Sequence, residues 1–408
     1  MFKAIKLFIY LIIFLCVHDA NAHTVYKKDD VSLDLDLRVN ASFLSQNYNH
    51  SSNKHSTLRT SGRFGIGGKS KISDNLTLFG YMQWGYSPTS KKNGLRTREQ
   101  YVGLDFNKYG SIKIGRFTDA SNYAENVTEH WVNAGETSQG RYKGKRRNSQ
   151  ITYILSNNPY YLRLGVQFAE DNAHMISFDT RHQKLYDEDD NYLGFTDKWA
   201  IDSGFNFALG YNLKKLWGKP LTIRLGYNYL KGQEHDSDFV FVGNNKKSQT
   251  GYFDNDNIIR YTQNGNAFEN FSHLTFGIGY GDVSDGLYIA AMSETSTLKN
   301  PLMITDSEIK MDGFELLISY AFSNGISTRI GYEATFWTWN FKDTKIKDKF
   351  QFRRIPLLIE YKHNANFTIF AECGFNAGSS HYYYGDKDFP VDRNRDKFVW
   401  SAGGRFEF

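Results

Sequence analysis

The sequence contains very little cysteine and proline, and only one long apolar run. Among its 408 residues there are 2 cysteines and 6 prolines. Cys16 lies inside the N-terminal apolar run, so the rest of the chain holds only Cys373, which excludes an intramolecular disulfide framework. Beyond that run no apolar stretch is long enough for a transmembrane helix. The chain must therefore be stabilised by something other than disulfides or membrane helices.

The first 22 residues have the three parts of a secretory signal peptide. Lys3 and Lys6 supply the positive charge, residues 7–17 form an apolar run too short to span a bilayer, and residues 20–22 read Ala-Asn-Ala. We predict cleavage after this small-x-small site, which leaves a mature chain that starts at His23. The alternative is an N-terminal membrane anchor.

The composition of the remainder is typical of an exported membrane barrel. Glycine is abundant at 35 residues, aromatic residues make up 16%, and the mean hydropathy is −0.54. A chain that is aromatic-rich yet polar on average suits an outer-membrane β-barrel, where apolar residues occupy alternate positions. The net charge of +5 is too mild to imply nucleic acid as a partner. Residues 23–408 are predicted to form a single barrel domain.

Strict alternation of apolar and polar residues is the main secondary-structure signal. At the C-terminus, Phe398, Trp400 and Phe406 fall on one face, and Ser401 and Arg405 fall on the other. About sixteen such segments follow one another, joined alternately by short and long turns. The pattern predicts an all-β fold, a transmembrane antiparallel β-barrel of about sixteen strands that closes last strand on first, because an open edge in lipid leaves backbone groups unpaired.

Residues 118–144 form a long polar segment between two of these strands. The segment contains Asp119, Glu125, Glu129 and Glu136, and a basic cluster begins at its C-terminal end. A structureless loop of this length inside a compact domain is uncommon and usually functional. We predict that this third external loop folds into the barrel and narrows it.

Several stretches, in this order and spacing, resemble the general porin family of Gram-negative outer membranes across essentially the whole mature chain. They are Lys27-Lys28-Asp29-Asp30-Val31-Ser32-Leu33-Asp34, Gly62-Arg63-Phe64-Gly65, Ile72-Ser73-Asp74-Asn75-Leu76-Thr77 with Gln83-Trp84, Thr97-Arg98 with Tyr101-Val102-Gly103-Leu104, Gly110-Ser111 with Gly115-Arg116, and the terminal Phe408. The resemblance implies a sixteen-stranded barrel, usually a homotrimer, with the third external loop in the lumen.

The resemblance also implies which residues line the narrowest part of the pore. Wall arginines that face the loop are matched by Arg63, Arg98, Arg116 and Arg146, and the acidic side of the loop by Glu129 with Glu125 and Glu136 as neighbours. At the loop tip the family often has Pro-Glu-Phe-Gly-Gly, whereas this chain has Asn133-Ala134-Gly135-Glu136-Thr137. The path of the loop therefore stays open at this stage.

Strand parity separates these arginines into two groups. Arg63 lies opposite Phe64 and Ile66 in the alternation, and Arg146 shares its face with Asn148, Gln150 and Thr152, so both are predicted to face the lumen. Arg98 and Arg116 instead share parity with apolar residues. A β-bulge or cover by a neighbouring subunit would account for them. The alternative for the whole basic cluster is solvated charge near the lipid headgroups.

The leading functional hypothesis is a passive diffusion pore for small hydrophilic solutes and ions, in which wall arginines opposite loop carboxylates set the selectivity. A solute-specific channel or an adhesin barrel is the alternative, since Phe79, Tyr81 and Phe370 have inward parity. A barrel hydrolase is a third possibility, but no triad-like motif surrounds Ser272 or His273.

Expected partners are lipopolysaccharide, outer-membrane lipid and two further copies of the chain; no cofactor and no defined metal site are predicted. The acidic runs at residues 187–190 and 254–256 are candidates for divalent cations that bridge lipopolysaccharide, or are solvated loops.

Overall fold

The structure is a computed structural model of the chain. The described residues are 23–45, 57–87, 95–133, 146–176, 184–186, 192–194, 198–233, 240–242, 259–262, 265–301, 306–341, 347–383, 387–389 and 398–408. The predicted signal peptide, Glu136 and the two acidic runs lie outside them. Among the described residues no helix is long and apolar enough to cross a membrane.

Nearly every described element is a β-strand. In chain order the strands are β1 (His23–Lys28), β2 (Val31–Leu44), β3 (Thr57–Ser73), β4 (Leu76–Tyr86), β5 (Leu95–Asp105), β6 (Ser111–Thr118), β7 (Arg146–Asn157), β8 (Tyr160–Gln167), β9 (Glu170–His174), β10 (Lys184–Tyr186), β11 (Tyr192–Gly194), β12 (Lys198–Leu216), β13 (Lys219–Gly232), β14 (Val240–Val242), β15 (Ile259–Thr262), β16 (Gly265–Asn266), β17 (Asn270–Asp282), β18 (Asp285–Lys299), β19 (Ser307–Ala321), β20 (Ile326–Phe341), β21 (Lys347–Lys362), β22 (Phe367–Asn376), β23 (Ser380–Tyr383), β24 (Lys387–Phe389) and β25 (Val399–Glu407). A 3-10 turn spans Asn107–Tyr109, and one short helix, α1, spans Ser121–Glu125.

Sixteen of these strands form a closed antiparallel barrel, which confirms the predicted fold class. Its wall runs in the order β2, β3, β4, β5, β6, β7, β8, β12, β13, β17, β18, β19, β20, β21, β22 and β25. The ring closes where β25 pairs with β2, from Arg38 opposite Glu407 to Leu44 opposite Ser401. The N-terminal half of β2 pairs with β1 instead, so β1 and β25 share one edge of the first wall strand.

The two faces of the wall differ as the alternation predicts. Large apolar side chains on one face are exposed along the barrel, including Leu33, Phe64, Ile66, Leu164, Val166, Phe276, Ile289, Leu316 and Ile318. In β25 the predicted face is confirmed: Phe398, Trp400 and Phe406 are exposed, while Val399 and Ser401 on the other face are 1% exposed. An apolar exterior on a closed barrel is the arrangement that lipid requires.

The turn between β12 and β13 is short because β12 extends beyond the part of its sequence that alternates clearly. Lys214 and Lys215 interrupt the alternation, yet β12 continues to Leu216, and only Trp217 and Gly218 make the connection, with Trp217 at φ 48° and Gly218 at φ 88°. A two-residue turn with both φ values positive matches the right-handed twist of its strands. Because the end of β12 contains two lysines, the alternation of apolar residues does not indicate that the strand continues there.

Candidate functional site

The segment that follows β6 packs against the inner face of the wall. The guanidinium of Arg163 on β8 donates to the carbonyl oxygens of Thr118 and Asp119, at 2.6 and 3.0 Å. The helix α1 then contacts β12, β13 and β17, and Arg224 on β13 donates to the carbonyl of Tyr123 at 3.1 Å. Charged donors on carbonyl oxygens form hydrogen bonds of about 1.5–3 kcal/mol each. The start of the segment is therefore tied to the wall by its backbone.

The same segment continues around the wall to the last strand. Tyr288 donates its hydroxyl to the carbonyl of Val127 at 2.8 Å, and Thr128 donates to the Glu315 carboxylate at 2.6 Å. The backbone N–H groups of Val132 and Asn133 both donate to the Glu372 carboxylate on β22, at 2.9 and 2.8 Å. Residues 119–133 thus pass along the inner face of the wall from β6 to β22.

Wall glycines allow the backbone of this segment to approach closely. A Cβ added at Gly226 on β13 would lie 2.5 Å from the carbonyl oxygen of Ala120, and one at Gly277 on β17 would lie 2.5 Å from that of Ala124. Both distances are shorter than any real Cβ contact. Glycine at these two positions is required by the passing backbone rather than by the strands themselves.

An apolar cluster under the segment was missed by the sequence analysis. Its members are Val127 from the segment and Tyr288, Ala290, Met292 and Leu317 from β18 and β19, with Trp131 packed against them. These wall residues have inward parity, and Leu287 and Ile289 on the outward face are apolar as well. An apolar run on both faces of a strand that should line water is the signal that something covers it.

Each loop carboxylate of the described segment has a different environment. Asp119 is fully buried, 3.3 Å from the guanidinium of the equally buried Arg147. Glu125 is fully buried behind α1, against the wall. Glu129 is partly exposed and accepts a hydrogen bond from Asn122 at 3.5 Å. Of the three, Glu129 is the one whose carboxylate is open to solvent.

Four arginines lie together on the far side of the ring. Arg38 on β2 and Arg63 on β3 are direct cross-strand neighbours, and Arg98 and Arg405 lie within electrostatic range of Arg38. Arg38 also forms an ion pair with Glu407. The sequence analysis named Arg63 and Arg98 for this role but omitted Arg38. Asp34, Asp36 and Arg38 alternate with apolar residues in β2. This pattern could have placed Arg38 on the same inward face as Arg63, its cross-strand neighbour.

Arg98 reaches this group through a β-bulge. Gln83 pairs with Glu99 and Trp84 pairs with Thr97, so Arg98 is the extra residue of β5. Its Nε donates to the Gln83 side chain at 3.0 Å, and Gln83 in turn donates to Asp36 at 3.2 Å. The strand parity of Arg98 required a β-bulge if its side chain was to face the lumen, and this bulge is present.

Arg146 and Arg116 have different partners. Arg146 lies 3.6 Å from Glu99, whose neighbours face inward, and within electrostatic range of Arg63. Arg116 instead lies with the outward Ile114 and donates to Asn148 at 3.1 Å. A register irregularity between Gly115 and Phe117 turns Asn148 outward, against its predicted parity, and leaves Arg116 beside it. Arg116 remains within electrostatic range of Arg146 and Glu99 but not of Arg38.

The middle of the segment, around Thr128, faces the arginines across the barrel, whereas its end at Val132 and Asn133 reaches β22, the wall strand next to β25. The arginines belong to the first, second, fourth and last wall strands, whereas Thr128 contacts β19, the twelfth strand. In a ring of sixteen, the twelfth strand is opposite the fourth. Positive charge on one side and Glu129 on the other would create a transverse field in the space between them.

His130 and Tyr123 in the segment are perturbed by the wall. Burial, together with the nearby Arg329 and Arg224, lowers the pKa of His130 to about 4. The His130 ring packs edge-on against Tyr288, with ring centroids 5.7 Å apart. Burial raises the pKa of Tyr123, whose ring stacks on Tyr161 at 3.8 Å. Both side chains are neutral at pH 7.

Comparisons with known proteins agree with this geometry. The family described as Gram-negative porin matches residues 28–388. Outer membrane porin C of Serratia marcescens is 25% identical over 376 residues, which cover 88% of each chain, and outer membrane protein YedS of Escherichia coli is 22% identical over 77% of this chain and 75% of its own.

Solved structures share the fold. The structure of OmpF from Salmonella typhi in complex with daunomycin has a TM-score of 0.62 at 14% identity, and covers 95% of this chain and 100% of its own. An anion-selective porin from Comamonas acidovorans has a TM-score of 0.60 at 14% identity, with 93% and 100% covered.

Proposed function

Because the chain belongs to the Gram-negative porin family, we propose that residues 118–144 form the constriction loop of its pore, opposite a wall of arginines. The protein is an outer-membrane porin that forms a diffusion pore for small hydrophilic solutes. The single observation that carries the proposal is the path of residues 119–133 along the inner face, facing Arg38, Arg63 and Arg98.

The proposed mechanism is electrostatic filtering without covalent chemistry. Arg63, Arg98 and Arg146, joined by Arg38 and Arg405, form the basic side, and Glu129 forms the acidic side together with the more distal Glu136. A hydrated dipolar solute can align in the field between them, whereas an apolar solute loses ordered water. Water in the lumen screens the repulsion among the arginines, which permits so many on one wall. Glu125 is buried between the loop and the wall, so its charge is not at the open surface of the pore.

We further propose that the protein is not an enzyme. His273, the histidine considered for a hydrolase, is 1% exposed behind α1. A general base must be within hydrogen-bond reach of a substrate, and this one is covered by the loop. A solute-specific channel would need aromatic rings that are open to the lumen. Of the aromatic residues with inward parity, Tyr81 donates its hydroxyl to Asp36 and Phe370 is buried, so neither of these two supports such a stacking track.

The proposal also covers processing, assembly and surroundings. Residues 1–22 act as the cleaved signal peptide, and 23–408 form the barrel. The family suggests homotrimers, and lipopolysaccharide is the expected partner of the external loops. The exposed apolar band on the barrel fits contact with lipid and with neighbouring subunits. Chemical cross-linking of the purified protein tests the trimer.

The experiment is the reversal potential of the purified protein in a planar bilayer under a salt gradient. Arg63→Gln should move the preference towards cations and Glu129→Gln towards anions, since each removes one charge from opposite sides of the narrow region. Lys215→Gln, which removes an exposed charge beside the short turn after β12, is the matched control and should leave the reversal potential unchanged. Unchanged reversal potentials in both Arg63→Gln and Glu129→Gln would show that the constriction is elsewhere.

A further inference from the structure

Behind α1, two carboxylates and an imidazole converge in a buried space that the pore mechanism does not use. They are Glu125 of the loop, His273 on β17 and Glu294 on β18, with 0%, 1% and 5% of each residue exposed. The Nε2 atom of His273 lies 3.8 Å from Oε1 of Glu125 and 3.4 Å from Oε2 of Glu294. One ligand atom from each residue lies within 4.8 Å of the others.

These separations match the spacing of ligand atoms around one metal ion. Zinc binds imidazole nitrogen and carboxylate oxygen at about 2.0–2.2 Å, and its sites are close to tetrahedral. Two ligands at that distance and angle are roughly 3.3–3.6 Å apart. The distance from Nε2 to Glu294, 3.4 Å, falls within this spacing, and the distance to Glu125, 3.8 Å, is slightly longer, so the carboxylate of Glu125 must shift inwards for all three atoms to reach one ion.

The charges of the three groups also favour a cation. Two carboxylates beside one imidazole nitrogen form a set of donor atoms with net negative charge, which favours a bound cation. A divalent ion offsets two carboxylates at once and is commonly the largest local charge in such a site. The hydroxyl of Thr275, 3.0 Å from Nε2, lies beside the same space and offers a further oxygen.

We propose that Glu125, His273 and Glu294 bind a divalent transition-metal ion of the zinc type, which fastens the loop to the barrel wall. One ligand comes from the loop and two from neighbouring wall strands, which pair directly through His273 opposite Ser296 and Thr275 opposite Glu294. The imidazole selects against Ca²⁺ and Mg²⁺, which take oxygen ligands, and in favour of Zn²⁺ and its first-row neighbours. The ion would be structural, because the site is covered by α1.

The consequence is a loop whose attachment depends on metal. Binding to the docked loop stabilises it over any undocked arrangement by mass action. Glu125 is the only one of the three ligands that the loop supplies, so occupancy of the site requires the docked loop.

The experiment is zinc binding to the purified full-length protein in detergent after chelator treatment, followed by isothermal titration calorimetry with Zn²⁺ alone. One site per chain is expected, with at least a tenfold loss of affinity in Glu125→Gln and in His273→Gln. Glu372→Gln is the matched control: it alters a buried wall carboxylate that holds the same loop but contributes no ligand. This variant should retain the stoichiometry of one.

Two results would overturn the site. One is no saturable binding by the unmodified protein; the other is equal binding in wild type, Glu125→Gln and His273→Gln, which would indicate an adventitious ion only. If a variant fails to fold, zinc-edge X-ray absorption of the unmodified protein decides: a nitrogen and oxygen shell that includes imidazole scattering supports the site, and water oxygens alone contradict it. None of these readouts uses conductance, so they are independent of the proposed function.

Discussion

At the scale of single residues, the direction of each charged side chain decides its role in a barrel. Arg98 and Arg116 have the same parity problem in the sequence, yet a bulge turns Arg98 to the arginine group and leaves Arg116 on the outside with Asn148. One extra residue in a strand reverses the face of its neighbours. Alternation alone could therefore identify Arg63, but could not distinguish Arg98 from Arg116.

The burial of individual loop carboxylates could be predicted even less well than the direction of the wall arginines. Glu125 and Glu129 are four residues apart and look equivalent in the sequence, but Glu125 lies against the wall and Glu129 is open to solvent. The difference arises because α1 turns one face to β13 and β17, a contact between distant parts of the chain. No local pattern in residues 118–144 specifies which side that helix presents.

The loop should be held less tightly in acid because of His130. Burial lowers the pKa of His130 to about 4 from an ordinary value of 6.5, so the undocked loop takes up a proton first as the pH falls. The stabilisation is complete above pH 6.5 and is lost progressively towards pH 4. Hydrogen-exchange protection of residues 127–133, corrected for intrinsic rates, should fall between pH 7 and pH 4.5.

The control for this effect is His130→Gln, which cannot gain the charge. Its protection should change less over the same pH interval than that of the unmodified protein. An equal loss of protection in both proteins would mean that another group controls the acid response.

At the scale of elements, the strands were largely predictable and the loop was not. Strand β2, Val31–Leu44, coincides with the stretch of the sequence in which polar and apolar residues alternate. Other strands continue beyond their alternating part, as β18 does to Lys299. The docked segment depends on glycines and an apolar patch of the inner wall, which are scattered over four wall strands.

Replacing a wall glycine should loosen the docked loop. In Gly277→Ala the new Cβ would lie 2.5 Å from the carbonyl oxygen of Ala124, so α1 must move away from β17. We expect a loss of about 1–3 kcal/mol in the free energy of loop docking, as for other overpacked sites. Hydrogen-exchange protection of residues 121–128 measures it.

Gly68→Ala is the matched control for Gly277→Ala. Its Cβ would lie 3.8 Å from the nearest atom, an ordinary contact, and it lies on β3, whereas α1 packs on β12, β13 and β17. Equal protection of residues 121–128 in the two variants would contradict the idea that the wall glycines make room for the backbone.

At the scale of the whole molecule, closure and a two-faced wall account for the barrel. The terminal strand pairs with the first wall strand through seven residues, and the backbone of Phe408 bonds reciprocally with Leu37. The number of strands, the order of pairing and the apolar exterior could all be predicted from alternation and from the need to close in lipid. The docking of residues 119–133 on the inner face could not be predicted, because it depends on contacts between segments that are distant in the sequence.

Charge on the outer face should destabilise the barrel according to depth. Leu316 lies near the middle of β19 and is 42% exposed on the outward face. Leu316→Arg should lower the free energy of unfolding in lipid by about 2–4 kcal/mol, and Tyr320→Arg near the strand end by about 0–1 kcal/mol. Denaturant titration in vesicles compares them. Equal losses at the two positions would contradict a membrane placement centred on Leu316.

The central claim is that the segment after β6 narrows a water-filled pore, and single-channel conductance tests it most directly. A variant in which residues 121–133 are replaced by a short Gly-Ser linker should fold, conduct more current than the unmodified protein and admit larger polyethylene glycols. An unchanged conductance and exclusion size in the folded variant would contradict the account.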